Sequence, residues 1–143
     1  MSVKIDHASL AVSDIDAAIK FFVDGLGCQV DFLEYGMSDQ IASMLGDAGS
    51  TCDLAQLKVD SSGVKIELIA FRPATANDHP ARRPVAPGMG HAALRVQDFD
   101  AVVERLMKLG AQSLGSITQF SSGRSVYLLT PVGAFLEIEE DLS

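Results

Sequence analysis

Residues 7–17 read HASLAVSDIDA and residues 91–101 read HAALRVQDFDA, so seven of eleven positions recur at a constant offset of 84. A phrase written twice commits the chain to two copies of one supersecondary unit. Each copy also opens on a histidine, His7 and His91. In the first copy, Val3 to Val12 alternates: Ala8, Leu10 and Val12 share one face, and Ile5, His7, Ser9 and Ala11 share the other. That period of two predicts a strand. Ser13 or Asp14 then offers a short side-chain oxygen to the free amides of a helix start. Ile15, Ala18, Ile19 and Phe22 follow at helical spacing, and the glycines at 25 and 27 stop the helix. The second copy repeats the sequence of steps: a strand over 89–96, a cap at Gln97 or Asp98, and a stripe of Phe99, Val102, Val103, Leu106 and Leu109 ending at Gly110.

Each copy continues into strand-like sequence. CQVDFLEY, LAQLKV and VKIELIAF follow the first helix; QSLGSITQF, SVYLLT and AFLEIEE follow the second, with DSSG and PVG as turn signals. The plan is therefore α+β: two duplicated βαβββ modules over residues 1–71 and 89–143, in one structural domain. Residues 72–88 hold four of the five prolines and read as a linker. The stretch 38–51, SDQIASMLGDAGST, is compatible with a short helix or a loop. A chain of 143 residues buries roughly 68–70% of its unfolded surface, enough for a core without covalent staples. Its only cysteines, Cys28 and Cys52, supply neither a disulfide framework nor a paired-thiolate metal knuckle.

A net charge of −8 with only 11 Lys and Arg excludes a basic surface for nucleic acid and opposes adhesion to anionic membranes. No stretch approaches the length of a membrane span, and MSVKIDHASL lacks the apolar run of a secretion signal. The expected setting is cytoplasmic. P-loop, GxSxG, HExxH and dinucleotide signatures are all missing, so nucleotide and serine hydrolysis find no support.

Two glutamates sit against the rules of burial. Glu67 lies inside VKIELIAF, on the face of Ile69 and Phe71; Glu137 lies inside AFLEIEE, on the face of Phe135. A buried carboxylate without a partner costs several kcal/mol, so such residues are either solvated or compensated. A histidine on one strand is more often structural than a ligand, and a glutamate on an edge strand is usually solvated. The recurrence shifts that balance. Each module supplies one histidine early and one glutamate late, and a cation among His7, Glu67, His91 and Glu137 would compensate both carboxylates. Two imidazoles and two carboxylates suit a borderline divalent metal: Zn, Ni, Co, Mn or Fe(II). Two positions of a six-coordinate ion would remain for water or a small-molecule substrate. His79, in the proline-rich stretch, reads as a solvated loop residue.

The segments IDHASLAV, VKIELI, GHAALRV and FLEIEE resemble the vicinal oxygen chelate superfamily, which includes glyoxalase I, methylmalonyl-CoA epimerase, extradiol dioxygenases and the bleomycin- and fosfomycin-resistance proteins. The resemblance spans about residues 3–140. It implies two βαβββ modules forming a partial barrel around a metal, a homodimer, and His7, Glu67, His91 and Glu137 as metal ligands. By resemblance to glyoxalase I, Glu137 is the base that moves a proton beside a carbonyl, with Glu67 as ligand and possible second base. The implied activity is that of a lyase or isomerase acting on a small oxygenated metabolite. Where glyoxalase I-like enzymes tend to carry a glutathione-binding arginine, this chain has Ala11; Arg95, four residues beyond His91, could grip an anionic substrate instead, and Arg124 in SSGRS could contact one. The alternative is an extradiol-type dioxygenase using His7, His91 and Glu137 with Tyr127, although the expected upstream histidine is missing from TQF at 118–120. A further alternative is a resistance protein that sequesters a drug without chemistry.

Overall fold

In the computed structural model, residues 1–73 and 83–143 are described. The chain forms two compact units, Met1–His79 and Pro80–Ser143. His79 and much of the proline-rich stretch lie outside the described residues. Among the described residues, no helix is long and apolar enough to cross a membrane.

The first unit runs β1 (His7–Ala11), α1 (Ile15–Leu26), β2 (Gln29–Met37), α2 (Asp39–Leu45), β3 (Thr51–Lys58) and β4 (Lys65–Arg72). Its sheet has the order β1-β4-β3-β2, with β1 parallel to β4 and the other pairs antiparallel. The second unit runs β5 (Ala92–Val96), α3 (Phe99–Lys108), β6 (Gln112–Ser113), β7 (Thr118–Phe120), β8 (Gly123–Leu129) and β9 (Phe135–Glu140). Its sheet has the order β5-β9-β8-β6, with β7 also on β8. The duplicated α+β plan is therefore present. It carries one insertion, α2, and one interruption: the strand expected over 112–120 is two short pieces separated by residues 114–117.

The helices form where the apolar stripes predict and bury them. Ile15, Ala18 and Phe22 on α1, and Phe99, Val102 and Leu106 on α3, are buried. Complete burial of a side chain such as Phe22, at 0% exposure, contributes about 1.5–3 kcal/mol. Alternation in β4 turns Ile66 and Leu68 one way, paired with Leu57 and Ala55 of β3, and α1 packs on these two strands. Glu67 and Ile69 then face the other way. The expected glycine stop is refined: Gly25 is buried inside α1, and Gly27 ends it with φ of 70°. Only glycine enters that left-handed conformation without steric cost.

The two sheets share their register under the duplication. Ala8 pairs with Ile66 and Ala92 with Leu136; Ser9 pairs with Glu67 and Ala93 with Glu137. Each glutamate therefore stands two positions along the parallel pair from its module's histidine. The Glu67 face is partly covered. Ile41 of α2 packs with Cys52, Leu54 and Ile69 on it, and Met37 joins them. In the second unit the chain between α3 and β8 forms short strands instead of a helix, and Ala93, Arg95 and Tyr127 on the Glu137 face stay exposed.

The caps differ. The Asp14 carboxylate accepts from the Ala17 amide at 2.7 Å, whereas Asp98, at the start of α3, makes no such bond. Asp14→Ala is expected to cost about 1 kcal/mol of stability, and Asp98→Ala a few tenths at most, in paired urea melts.

Candidate functional site

Within the first unit, β1 and β4 place His7 beside Glu67, with Nε2 3.3 Å from Oε2. Glu67 is 8% exposed in spite of its charge. Its compensation is local: the Ser9 hydroxyl donates to Oε1 at 3.0 Å, and the Gln56 amide donates to Oε2 at 3.2 Å. On the other side of the ring, His7 Nδ1 is 2.7 Å from the carboxylate of Asp6. That hydrogen bond holds the Asp6 carboxyl below the usual carboxylate range.

Within the second unit, β5 and β9 place His91 beside Glu137, with Nε2 2.9 Å from Oε2. The Ser125 hydroxyl donates to Glu137 Oε1 at 2.7 Å. Tyr127, opposite Glu137 in the β8–β9 register, meets the His91 ring edge-on at a centroid distance of 4.9 Å. Each unit thus presents an imidazole nitrogen and a carboxylate oxygen to one another, with the second oxygen of the carboxylate fixed by a serine. The serines are not duplicates of one another: Ser9 lies on β1, whereas its counterpart in the repeat is Ala93, and Ser125 comes from β8. Motif spacing alone could not reveal Ser125, because its role arises from the antiparallel pairing of β8 with β9.

The nitrogen and carboxylate donors fit a borderline divalent cation. The serines and Asp6 hydrogen-bond these side chains from the outer side. Among the described residues, no three or more His, Cys, Asp and Glu side chains form a ready-made ligand group; each unit holds one His–Glu pair.

The two arginines differ in how free they are. Arg124 donates to both oxygens of Asp100 at 2.9 and 3.1 Å and to both oxygens of Glu140 at 2.7 and 3.0 Å, and it lies over the Phe99 ring at 4.7 Å. Its guanidinium is committed to tying β8 to α3 and β9. Gly123 permits this closeness, since an added Cβ would lie 2.8 Å from the Glu140 carbonyl oxygen. Arg95 makes one exposed contact, to Glu139 at 3.0 Å, and such a surface pair is weak enough to exchange for a ligand. Arg95, Phe120, Ser122, Arg124, Ser125, Glu137, Glu139 and Glu140 line a groove of about 180 Å³ in the second unit. Glu137 opens into it.

The family model of the Glyoxalase/Bleomycin resistance protein/Dioxygenase superfamily matches residues 6–127. The chain belongs to this superfamily. It is 28% identical over 148 aligned residues to a 2-epi-5-epi-valiolone epimerase from Actinomyces sp., covering 96% of this chain and 79% of the relative. A crystal structure of a glyoxalase family protein from Bacillus cereus has a TM-score of 0.87 and 26% identity, covering 100% of this chain and 97% of that one. The fosfomycin resistance protein FosX of Listeria monocytogenes, in a complex with Mn(II) and 1S,2S-dihydroxypropylphosphonic acid, shares the fold at a TM-score of 0.64 and 18% identity, with 97% and 93% covered.

The Arg124 cluster has a pH signature. Arg124 holds Glu140 below its ordinary value of 4.5, so the pairing stabilises the fold above that pH and is lost as the pH falls through the lower folded value. Arg124→Gln is expected to lower Tm at pH 7 and to flatten the decline of Tm below about pH 4.5, as followed by circular dichroism.

Proposed function

We propose that this superfamily member is a metal-dependent isomerase that moves a proton on the carbon beside a carbonyl of a small polyhydroxylated metabolite. The observation that carries the reading is the pair of His–Glu couples at one shared strand register, each with its carboxylate oriented by a serine. His7, Glu67, His91 and Glu137 would hold the cation. When bound, a divalent cation supplies Lewis-acid stabilisation of negative charge on a substrate oxygen.

The chain's residues divide the remaining work. Both oxygens of Glu67 are engaged, by Ser9 and Gln56, within a buried setting that suits a fixed ligand. Glu137 is less buried and borders the groove, so it can reach a substrate carbon. Its carboxylate takes the proton as the C–H bond breaks, and the electron pair moves onto the carbonyl oxygen. Return of a proton from water to the opposite face of that carbon, with the electron pair drawn back from the oxygen, completes an epimerisation, and Glu67 remains a ligand throughout. Seven charged or hydroxyl side chains and one aromatic ring, that of Phe120, line the groove. Arg95 with Glu139 offers donors and acceptors together, a combination that matches hydroxyl groups better than a hydrocarbon. The similarity to a 2-epi-5-epi-valiolone epimerase supports a substrate of that kind.

The edge contact between Tyr127 and His91 favours a second reading, an extradiol-type dioxygenase using His7, His91 and Glu137. In that reaction the compensated burial of Glu67 has no use. The isomerase reading expects a stoichiometric divalent ion in purified protein, sharply reduced in His7→Ala, Glu67→Ala, His91→Ala and Glu137→Ala. It also expects exchange of the carbon-bound hydrogen of a keto-cyclitol with deuterated water, slowed about 10²–10⁴-fold in Glu137→Gln. Unchanged metal content in the four alanine variants contradicts the site. Oxygen consumption with a catechol, without hydrogen exchange, favours the dioxygenase.

A further inference from the structure

The two half-sites differ in one respect that bears on which imidazole is ready to bind a cation. His7 Nδ1 lies 2.7 Å from Asp6 Oδ2, while its Nε2 lies at the longer distance of 3.3 Å from Glu67. An ionised carboxylate only accepts hydrogen bonds, so the proton of a neutral His7 ring belongs on Nδ1, toward Asp6. That leaves the Nε2 lone pair turned toward Glu67, on the side where a ligand nitrogen is needed. Gly90 occupies the position of Asp6 in the second copy, at the same offset of 84, and it has no side chain to do this. There, His91 Nε2 is 2.9 Å from Glu137, a normal distance for an N–H donating to a carboxylate.

We infer that Asp6 is a positioning residue: it presets His7 as the Nδ1–H tautomer and so turns the Nε2 lone pair to the Glu67 side, where the first unit would meet a cation. The inference rests on the metal-binding reading above for its consequence, but not for its first observable. Free imidazole side chains favour no such arrangement by themselves, and a second carboxylate behind a ligand histidine both fixes the ring and raises its basicity. Asp6 is largely exposed, with a side-chain exposure of 83%, so its replacement leaves the packed core intact.

The test begins with metal-free protein, at about pH 8.5 where imidazoles are neutral. Long-range ¹⁵N–¹H correlation spectra separate the two tautomers of each histidine. The expected result is Nδ1–H for His7 and Nε2–H for His91 in the unaltered chain, with His7 losing its preference in Asp6→Ala. Asp6→Asn, whose amide oxygen can still accept from Nδ1, should keep most of it. Titration with Zn(II), Ni(II) and Mn(II) by equilibrium dialysis should then show affinity weakened about 10–100-fold in Asp6→Ala, partly restored in Asp6→Asn, with Tm unchanged in both metal-free variants. A His7 ring that carries its proton on Nε2 in the unaltered chain overturns the inference, as does Asp6→Ala binding metal as tightly as the unaltered protein. Failure of the unaltered protein to bind any of the three ions overturns the metal-site reading instead, and the tautomer spectra still decide the role assigned to Asp6.

Discussion

The whole arrangement depends on how a strand tolerates a carboxylate in a place meant for an apolar side chain. Glu67 stands next to Leu68 and Ile66 in sequence and is almost as buried as they are. Desolvating it costs several kcal/mol unless its oxygens are paired. Two neighbours supply that pairing: Ser9 across the parallel strand and Gln56 across the antiparallel one. In the second unit, Ser125 and the ring of His91 stand against Glu137. The polar cluster is therefore part of the sheet, placed by register.

That register explains why a duplicated fold is suited to this site. In each unit the first strand runs parallel to the last, and the glutamate stands two steps from the histidine across that pair. One inherited geometry thus yields two imidazole–carboxylate couples. The units then diverge around it. The first gains α2, whose Ile41 covers apolar residues beside Glu67, while the second leaves its polar face open around Glu137. A fixed, covered carboxylate suits a ligand, and an accessible one suits a proton carrier.

Much of this was legible in the chain itself. The apolar stripes located α1 and α3, because burial of Phe22, Phe99 and Leu106 is what holds them to the sheets. The histidines and glutamates stood out as polar residues in apolar strands. Several features were not legible. The helix over 39–45 depends on Ile41 finding Cys52 and Leu54, a tertiary contact that no local period announces. The break at 114–117 interrupts a stretch whose composition still reads as strand. Arg124 looked like a loop residue available to a substrate, yet Asp100 and Glu140 surround its guanidinium from separate elements. The role of Asp6 beside its histidine is not legible either, since adjacency in sequence does not say which ring nitrogen a carboxylate meets.

The central proposal is that the two imidazole–carboxylate couples serve one cation. X-ray absorption at the metal edge of the Ni(II)- or Zn(II)-loaded chain tests it most directly, because multiple scattering counts the imidazoles around the ion. The account predicts two imidazoles in a shell otherwise made of oxygen, with one remaining after replacement of either His7 or His91. A shell of oxygen alone, or one that keeps both imidazoles when His7 or His91 is removed, would contradict it.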